Sequence, residues 1–214
     1  MKVLKPLMMM CCCIAAVTFT SCLNDDDEPV LSPEEYQAAY QAIKGDYSGN
    51  LIYAKAKSED AKENVNDKNA NDTIKVHWRI DTDSTLYVAD FPSAPLAEHI
   101  TNKEIREAIA AQPVQKLECR MGIMNNAPIT FLINPAFATY NVNYGGEDHK
   151  VQIAFYVNST YSYGVYSYFN TNKEVDSKKP AMQMQILAGG VYVDEKLNQE
   201  LLKKPVAIGF EGEK

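Results

Sequence analysis

Apolar residues occupy every second position from Ile74 to Ile80, and polar residues lie between them. A period of two predicts a strand with one buried face and one solvated face. Turn-forming residues follow at 81–84, and the pattern of residues 85–91 predicts the returning arm of a hairpin. This stretch therefore predicts an antiparallel β-hairpin.

Strand patterns dominate the chain beyond Pro113. They cover residues 114–125, 129–134, 137–144, 149–158, 160–170, 181–193 and 206–210, and an earlier one covers 46–57. Residues 145–148 have the composition of a tight hairpin turn. About nine or ten antiparallel strands fit either a closed barrel or a sandwich, and closure would remove exposed sheet edges.

Short helices are predicted by two capping boxes. Residues 32–35 (Ser-Pro-Glu-Glu) predict a helix to about residue 44, and residues 101–104 (Thr-Asn-Lys-Glu) predict a second one that ends before Pro113. A helical turn is predicted near residues 196–203, and the polar residues 58–72 predict a mobile loop. The sequence thus predicts one mainly β domain at residues 32–214, a single antiparallel barrel or a sandwich with two or three short helices.

The N-terminal residues have the pattern of a signal peptide. Lys2 and Lys5 precede an apolar run at residues 7–19, which is shorter than the roughly 20 residues that a membrane-spanning helix needs. Residues 19–22 (Phe-Thr-Ser-Cys) resemble the lipobox of bacterial lipoproteins. The resemblance implies a signal peptide at residues 1–21 and a lipid on the thiol of Cys22.

Four carboxylates come directly after this cysteine: Asp25, Asp26, Asp27 and Glu28. Because like charges repel one another, residues 22–31 are predicted to form a flexible acidic tether. The run resembles the export signal of Bacteroidota lipoproteins that reach the outer face of the outer membrane, and a solvated spacer is the alternative. The resemblance implies a protein held to the outer membrane by its lipid and facing the cell exterior.

Residues 43–51 run from a helix into a glycine, an aromatic residue and a first strand. This opening resembles that of calycin-like (lipocalin-like) domains, with Tyr47 where those domains usually carry tryptophan. Residues 155–159 and 189–193 are similar to segments of an uncharacterised family of Bacteroidota lipoproteins built on such a domain. The resemblance implies a barrel with a ligand at its mouth.

The charge of the chain argues against a nucleic-acid partner. It carries 21 Lys and Arg against 28 Asp and Glu, a net charge of −7. Nucleic-acid recognition requires a basic face that neutralises phosphate, whereas here the basic residues are dispersed among carboxylates.

The side chains that commonly carry catalysis are sparse and scattered. Cys119 is in phase with the apolar positions around it, which predicts a buried, inert thiol. The three histidines, His77, His99 and His149, have no neighbour at the spacing of a metal site, and no catalytic or phosphate-binding motif occurs. The sequence therefore predicts a protein that is not an enzyme and needs no metal or cofactor.

Tyrosines cluster around Gly164. Tyr161 and Tyr163 share one phase, Tyr166 and Tyr168 share the other, and a bulge at the glycine would bring all four to one face. Such a face could stack on sugar rings or line an apolar cup. The alternative is that these residues reflect β propensity and cross-strand packing.

Two hydroxyl residues lie in possible modification sequences. Thr73 follows Asp72, and Ser84 follows Asp83. Both resemble O-glycosylation sites of Bacteroidota secreted proteins.

Two functions fit these predictions. The first is a lipid-anchored barrel that binds a small hydrophobic ligand or a glycan at its mouth; the second is a non-enzymatic structural or interaction module of a cell-surface complex. An open interior would favour the first, and a filled core with an exposed apolar patch would favour the second.

Overall fold

The computed structural model describes residues 31–55, 71–170 and 178–214, with only the backbone for 168–170 and 178–180. The predicted signal peptide, Cys22, the carboxylates at 25–28 and most of the predicted loop at 58–72 lie outside the described residues. The strands are β1 (Gly45–Ala54), β2 (Asn71–Thr82), β3 (Thr85–Phe91), β4 (Gln115–Asn126), β5 (Ile129–Pro135), β6 (Ala138–Tyr144), β7 (Glu147–Phe155), β8 (Tyr163–Asn170), β9 (Lys178–Val193), β10 (Lys196–Leu197) and β11 (Val206–Glu213). The helices are α1 (Pro33–Ile43), α2 (Ala94–Ala97) and α3 (Lys103–Ala110).

Eight antiparallel strands close into a barrel. The ring runs β1-β2-β3-β4-β5-β8-β9-β11, and the pairing of β11 with β1 completes it. The first half of the long strand β9 belongs to this ring, and its second half pairs with β7 and β10. Strand β6 pairs with β7, so a small sheet extends from the barrel wall. Of the two predicted architectures, the barrel is confirmed.

Helix α1 begins at the capping box that the sequence predicts. The hydroxyl of Ser32 accepts a hydrogen bond from the backbone N–H of Glu35 at 3.2 Å, and the Glu35 carboxylate accepts one from the N–H of Ser32 at 2.9 Å. Tyr40 is buried and its hydroxyl donates to the carbonyl of Asp81, near the end of β2. The helix is therefore fastened to the β2–β3 hairpin.

Helix α3 begins one residue later than its predicted capping box requires. The side chain of Asn102 caps it by accepting from the N–H of Ile105 at 3.1 Å. Thr101 instead donates its hydroxyl to the carbonyl of Glu200 at 2.7 Å. This tertiary contact removes the threonine from the capping position.

The helical turn predicted near residues 196–203 is wrong. Asp194 and Glu195 both have positive φ, 49° and 69°, and form a two-residue turn that folds β10 back on β9. Positive φ at both central positions is typical of the hairpin turns that match strand twist. Strand pairing therefore replaces the helix.

Trp78 is buried in the barrel core. Its ring stacks on Tyr47 with centroids 5.7 Å apart and meets the ring of Phe210 edge-on at 6.1 Å. A Cβ atom at Gly49 or at Gly212, which pair across β1 and β11, would collide with the indole and the neighbouring backbone. Two glycines thus make the space that the largest side chain in the core occupies.

Candidate functional site

The barrel interior is filled by side chains. Near its middle is a cavity of about 10 Å³, lined by Leu86, Val88, Leu117, Cys119, Ile133, Met184, Ile186 and Phe210. That volume is about what a single water molecule needs, and every lining group is apolar. Small-molecule sites usually occupy roughly 300–1,000 Å³. This cavity therefore has no room for a small hydrophobic ligand.

Cys119 lies in the wall of this cavity and is 1% exposed. Desolvation by burial raises the pKa of its thiol, and the neighbouring carboxylate of Glu118 adds to that effect. A thiol of raised pKa keeps its proton and is a poor nucleophile. The predicted buried thiol is confirmed.

The bulge at Gly164 that would bring all four tyrosines to one face is absent. Residues 163–166 of β8 pair in unbroken register with both β5 and β9. Gly164 points inward, because a Cβ there would collide with the buried ring of Phe131. Side chains alternate along a strand, so Tyr166 points inward as well and Tyr163 points outward. The arrangement with all the tyrosines on one face is wrong.

Tyr166 belongs to the packing at one end of the barrel. It packs against the hydrophobic core, and the ammonium group of Lys214 lies 5.6 Å from its ring centroid and 5.6 Å from that of Tyr47. The same ammonium donates to the carbonyl of Ala42, in the last turn of α1, at 2.6 Å. The side chain of Tyr168 lies outside the described residues.

Tyr161 precedes β8 and contributes to a group of aromatic side chains on the outer surface. Its ring meets that of Tyr156 edge-on at 6.3 Å, and Tyr156 lies directly on Gly189, where a Cβ would collide with it. Beyond Gly190, the rings of Tyr192 and Phe137 meet edge-on at 5.8 Å, and Leu197 is the cross-strand partner of Tyr192. We call Phe137, Tyr156, Tyr161, Tyr192 and Leu197 the aromatic strip.

The aromatic strip is open to solvent. Tyr161 is 59% exposed, Phe137 52%, Leu197 49% and Tyr156 40%. Exposed apolar groups that adjoin one another are typical of binding surfaces, whereas single ones need no explanation. The sequence predicted Tyr161 as a binding residue but missed the other four, whose common signal is the pair Gly189–Gly190 in an uncharged stretch of β9, residues 180–193.

The segment that carries Tyr156 and Tyr161 is held by hydrogen bonds at several points. The side-chain amide of Asn134 donates to the side-chain oxygen of Asn158 at 2.9 Å, and the backbone N–H of Asn158 donates to the side-chain oxygen of Asn134 at 2.6 Å. The Gln185 amide donates to the carbonyl of Tyr161 at 3.1 Å. Ser162 is fully buried, and its hydroxyl accepts from the N–H of Leu187. The rings are thus presented from a fixed backbone.

The three histidines each have a partner but do not converge. His77 pairs with Asp90 at 2.9 Å, His149 pairs with Asp194 at 2.7 Å, and the ring of His99 lies 2.7 Å from the carbonyl of Ala54. Among the residues that the structure describes, no three His, Cys, Asp or Glu side chains form a group that could hold a metal ion.

The contact between His149 and Asp194 predicts that the stability of the fold depends on pH. Hydrogen bonds from His149 and from the backbone of Lys150 hold the pKa of Asp194 below its ordinary value. A carboxylate with a lowered pKa in the folded state stabilises the fold above its unfolded pKa of about 3.9, and this stabilisation is lost as pH falls through the folded pKa. We expect Asp194→Asn to melt below wild type at pH 6 and the gap to close below about pH 4, as measured by circular dichroism. A gap that stays constant with pH would contradict this.

Both hydroxyl residues in possible modification sequences are exposed. Thr73 lies near the start of β2, and Ser84 lies in the turn after it. An enzyme could reach either hydroxyl, so their modification stays a prediction. In the described ranges, no helix combines the length and the apolar character that a membrane crossing requires.

Comparison with known proteins identifies one family. Residues 42–193, which are more than half of the chain, match the model of a domain of unknown function, DUF4840. The match spans β1 to β9 and includes the residues that form most of the aromatic strip. Neither the curated proteins nor the solved structures give a significant match.

Proposed function

Because the chain belongs to the DUF4840 family, whose description names no activity, we propose a function from the barrel itself. The protein is a lipid-anchored, non-enzymatic interaction module of the bacterial outer surface. It binds its partner with the outer wall of the barrel rather than in the interior. The observation that carries this proposal is the filled barrel, whose central cavity holds about 10 Å³.

The filled interior favours an interaction module over a barrel that encloses a small hydrophobic ligand. Such a ligand needs a cavity many times larger than this one. Most of the exposed apolar groups among the described residues lie beside the small sheet that extends from the ring and on the loop before β8. A surface of this kind fits a partner that stays outside the barrel.

The anchoring part of the proposal rests on the N-terminal sequence. Cys22 follows a signal-peptide pattern and Ser21, and the carboxylates of Asp25–Glu28 follow it. A single lipid chain binds membranes only weakly, whereas a diacylglycerol carries two chains and makes a stable anchor. The acidic tether then gives the barrel distance from the membrane.

Two experiments in bacterial cells that express the full chain test the anchoring. Labelled palmitate is expected to enter the wild-type protein and not Cys22→Ala, and equal labelling of both would overturn the lipid anchor. External protease is expected to remove the barrel from intact cells, and neutral residues at Asp25–Glu28 are expected to protect it. Protection of the wild type would mean that the barrel faces inward.

A fluorescence titration tests the proposal that the partner binds to the outer wall and not inside the barrel. The purified full chain in detergent is expected to show no saturable fluorescence increase with 1-aminoanthracene, an apolar probe that reports on enclosed ligand sites. Saturable binding that a fatty acid displaces would show a ligand inside the barrel and overturn the proposal.

A further inference from the structure

We infer that the aromatic strip is a docking surface for a neutral glycan chain. The inference rests on the proposed function, because it names the part of the outer wall that binds the partner and the chemistry of that partner. The inference is based on exposed rings, long uncharged stretches of the strands around them, and fixed amide groups next to them.

The rings offer flat apolar faces at a surface where water reaches them. Tyr156 and Tyr161 form one edge-on pair, and Phe137 and Tyr192 form another. Gly189 lies beneath the ring of Tyr156 and Gly190 faces Leu197 and Tyr192, so neither of these adjacent residues has a side chain that would separate the two pairs. Pyranose rings present C–H faces that stack on aromatic faces, whereas their hydroxyls remain in water.

Much of the wall around the strip carries no charge, and the charged residues beside it lie at one end, at the β9–β10 turn next to Tyr192 and Leu197. Asp, Glu, Lys and Arg make up 23% of the chain, yet none of them occurs in residues 121–146, 151–170 or 180–193. These residues supply half of β4, just over half of β7, nearly all of β9 and all of β5, β6 and β8, which are neighbours in the sheet. Along these ranges a polyanionic glycan or a charged peptide would find no counter-charge, so this part of the surface fits an uncharged partner.

Amide and hydroxyl groups adjoin the rings. Gln152 is the cross-strand partner of Tyr192, and its amide bonds to the hydroxyl of Thr139 at 3.4 Å. Asn134 and Asn158 lie at the foot of the loop that carries Tyr156 and Tyr161. Side-chain amides both donate and accept hydrogen bonds, which matches sugar hydroxyls.

A protein partner is the class that these observations favour less. Protein interfaces bury a core of apolar groups and are commonly enriched in arginine, and this wall has none in the uncharged ranges. The rings are also ordered before binding, since hydrogen bonds fix their loop. A preordered surface loses little conformational entropy when a flexible glycan binds.

Affinity electrophoresis of the full chain, purified in detergent, tests the inference. Native gels contain one polysaccharide each: dextran, soluble starch, galactomannan, xylan or mixed-linkage β-glucan as neutral probes, and heparin or polygalacturonate as charged probes. We expect retardation by at least one neutral polysaccharide and by neither charged one. Tyr156→Ala and Tyr161→Ala are each expected to weaken binding by roughly tenfold.

Val114→Ala is the matched control, because Val114 is as exposed as Tyr161, at 59%, but lies outside the strip. It is expected to bind like the wild type. Melting temperatures of all variants show whether weaker binding comes from the missing ring or from unfolding. Exposed residues contribute little to stability, so we expect the variants to melt near the wild type. No retardation by any neutral probe, or retardation that the tyrosine variants leave unchanged, would overturn the inference.

A photo-crosslinking residue at position 161 in intact cells separates failure of this inference from failure of the proposed function. Suppose that position 161 crosslinks to proteins, position 114 does not, and no polysaccharide retards the chain. This result would overturn the glycan as the partner and would keep the outer wall as the binding surface. Saturable binding of 1-aminoanthracene inside the barrel would overturn the proposed function itself.

Discussion

Trp78→Ala is expected to lower the free energy of unfolding by about 3–5 kcal/mol, which is a large part of the 5–15 kcal/mol that holds a typical domain. The side chain is 1% exposed, and its indole nitrogen lies 3.4 Å from the sulfur of Met182. Alanine would remove the contacts with Tyr47 and Phe210 and leave a void. For a domain of this size the melting temperature should fall by roughly 6–20 °C.

The measurement is thermal unfolding followed by far-UV circular dichroism, because Trp78 is the sole tryptophan and its own fluorescence disappears with the substitution. His77→Ala is the control at the adjacent position, whose side chain is 65% exposed and whose ion pair with Asp90 lies at the surface. Its cost should be at most about 1 kcal/mol. Equal losses in the two variants would place Trp78 outside the core.

The parts of the fold that the sequence predicted well depend on neighbours a few residues apart. The capping box at residues 32–35 is confirmed because its two hydrogen bonds join Ser32 to Glu35. Strand β3 begins and ends at the predicted residues, 85 and 91, since turn formers and an alternating pattern mark both of its ends. Closure of the ring could not be predicted, because it needs β11 to pair with both β1 and β9.

Contacts from distant parts of the chain explain the errors. Thr101 would cap α3 by local rules, but the carbonyl of Glu200 holds its hydroxyl. Leu197 and Leu201 lie at helical spacing, yet Leu197 is exposed on β10 and Leu201 is buried beyond it. The turn at Asp194 and Glu195 has no glycine, so no composition signal marks it.

The candidate site, like the fold, could be predicted from the sequence only in part. Tyr161 was predicted from its tyrosine-rich segment, whereas the aromatic strip combines residues from before β6, the β7–β8 loop, β9 and β10. Only the pairing of β9 with β7 and β10 brings them together. The uncharged ranges at 121–146, 151–170 and 180–193 were readable in the sequence, but their meaning depends on those strands being neighbours.

Gly164→Ala is expected to lower the free energy of unfolding by about 1–3 kcal/mol, the usual cost of overpacking a core. The added methyl group would point into the barrel and collide with Phe131, whose ring is fully buried. Chemical denaturation measures the loss. Gly122→Ala is the matched control on β4, because a Cβ there meets nothing within 4 Å, and its change should stay within about 0.5 kcal/mol.

A second substitution identifies the collision as the cause. Phe131→Leu replaces the ring that the methyl group meets, so Gly164→Ala should cost less in that background than in the wild type, with a coupling energy of about 0.5 kcal/mol or more. A bulge at Gly164 would direct the methyl group to solvent, and alanine would then be nearly neutral and independent of residue 131. That result would restore the one-sided tyrosine face, because Tyr163 and Tyr166 could then share a surface. Coupling between residues 164 and 131 instead places Tyr166 inside the barrel and leaves the aromatic strip as the surface proposed for glycan binding.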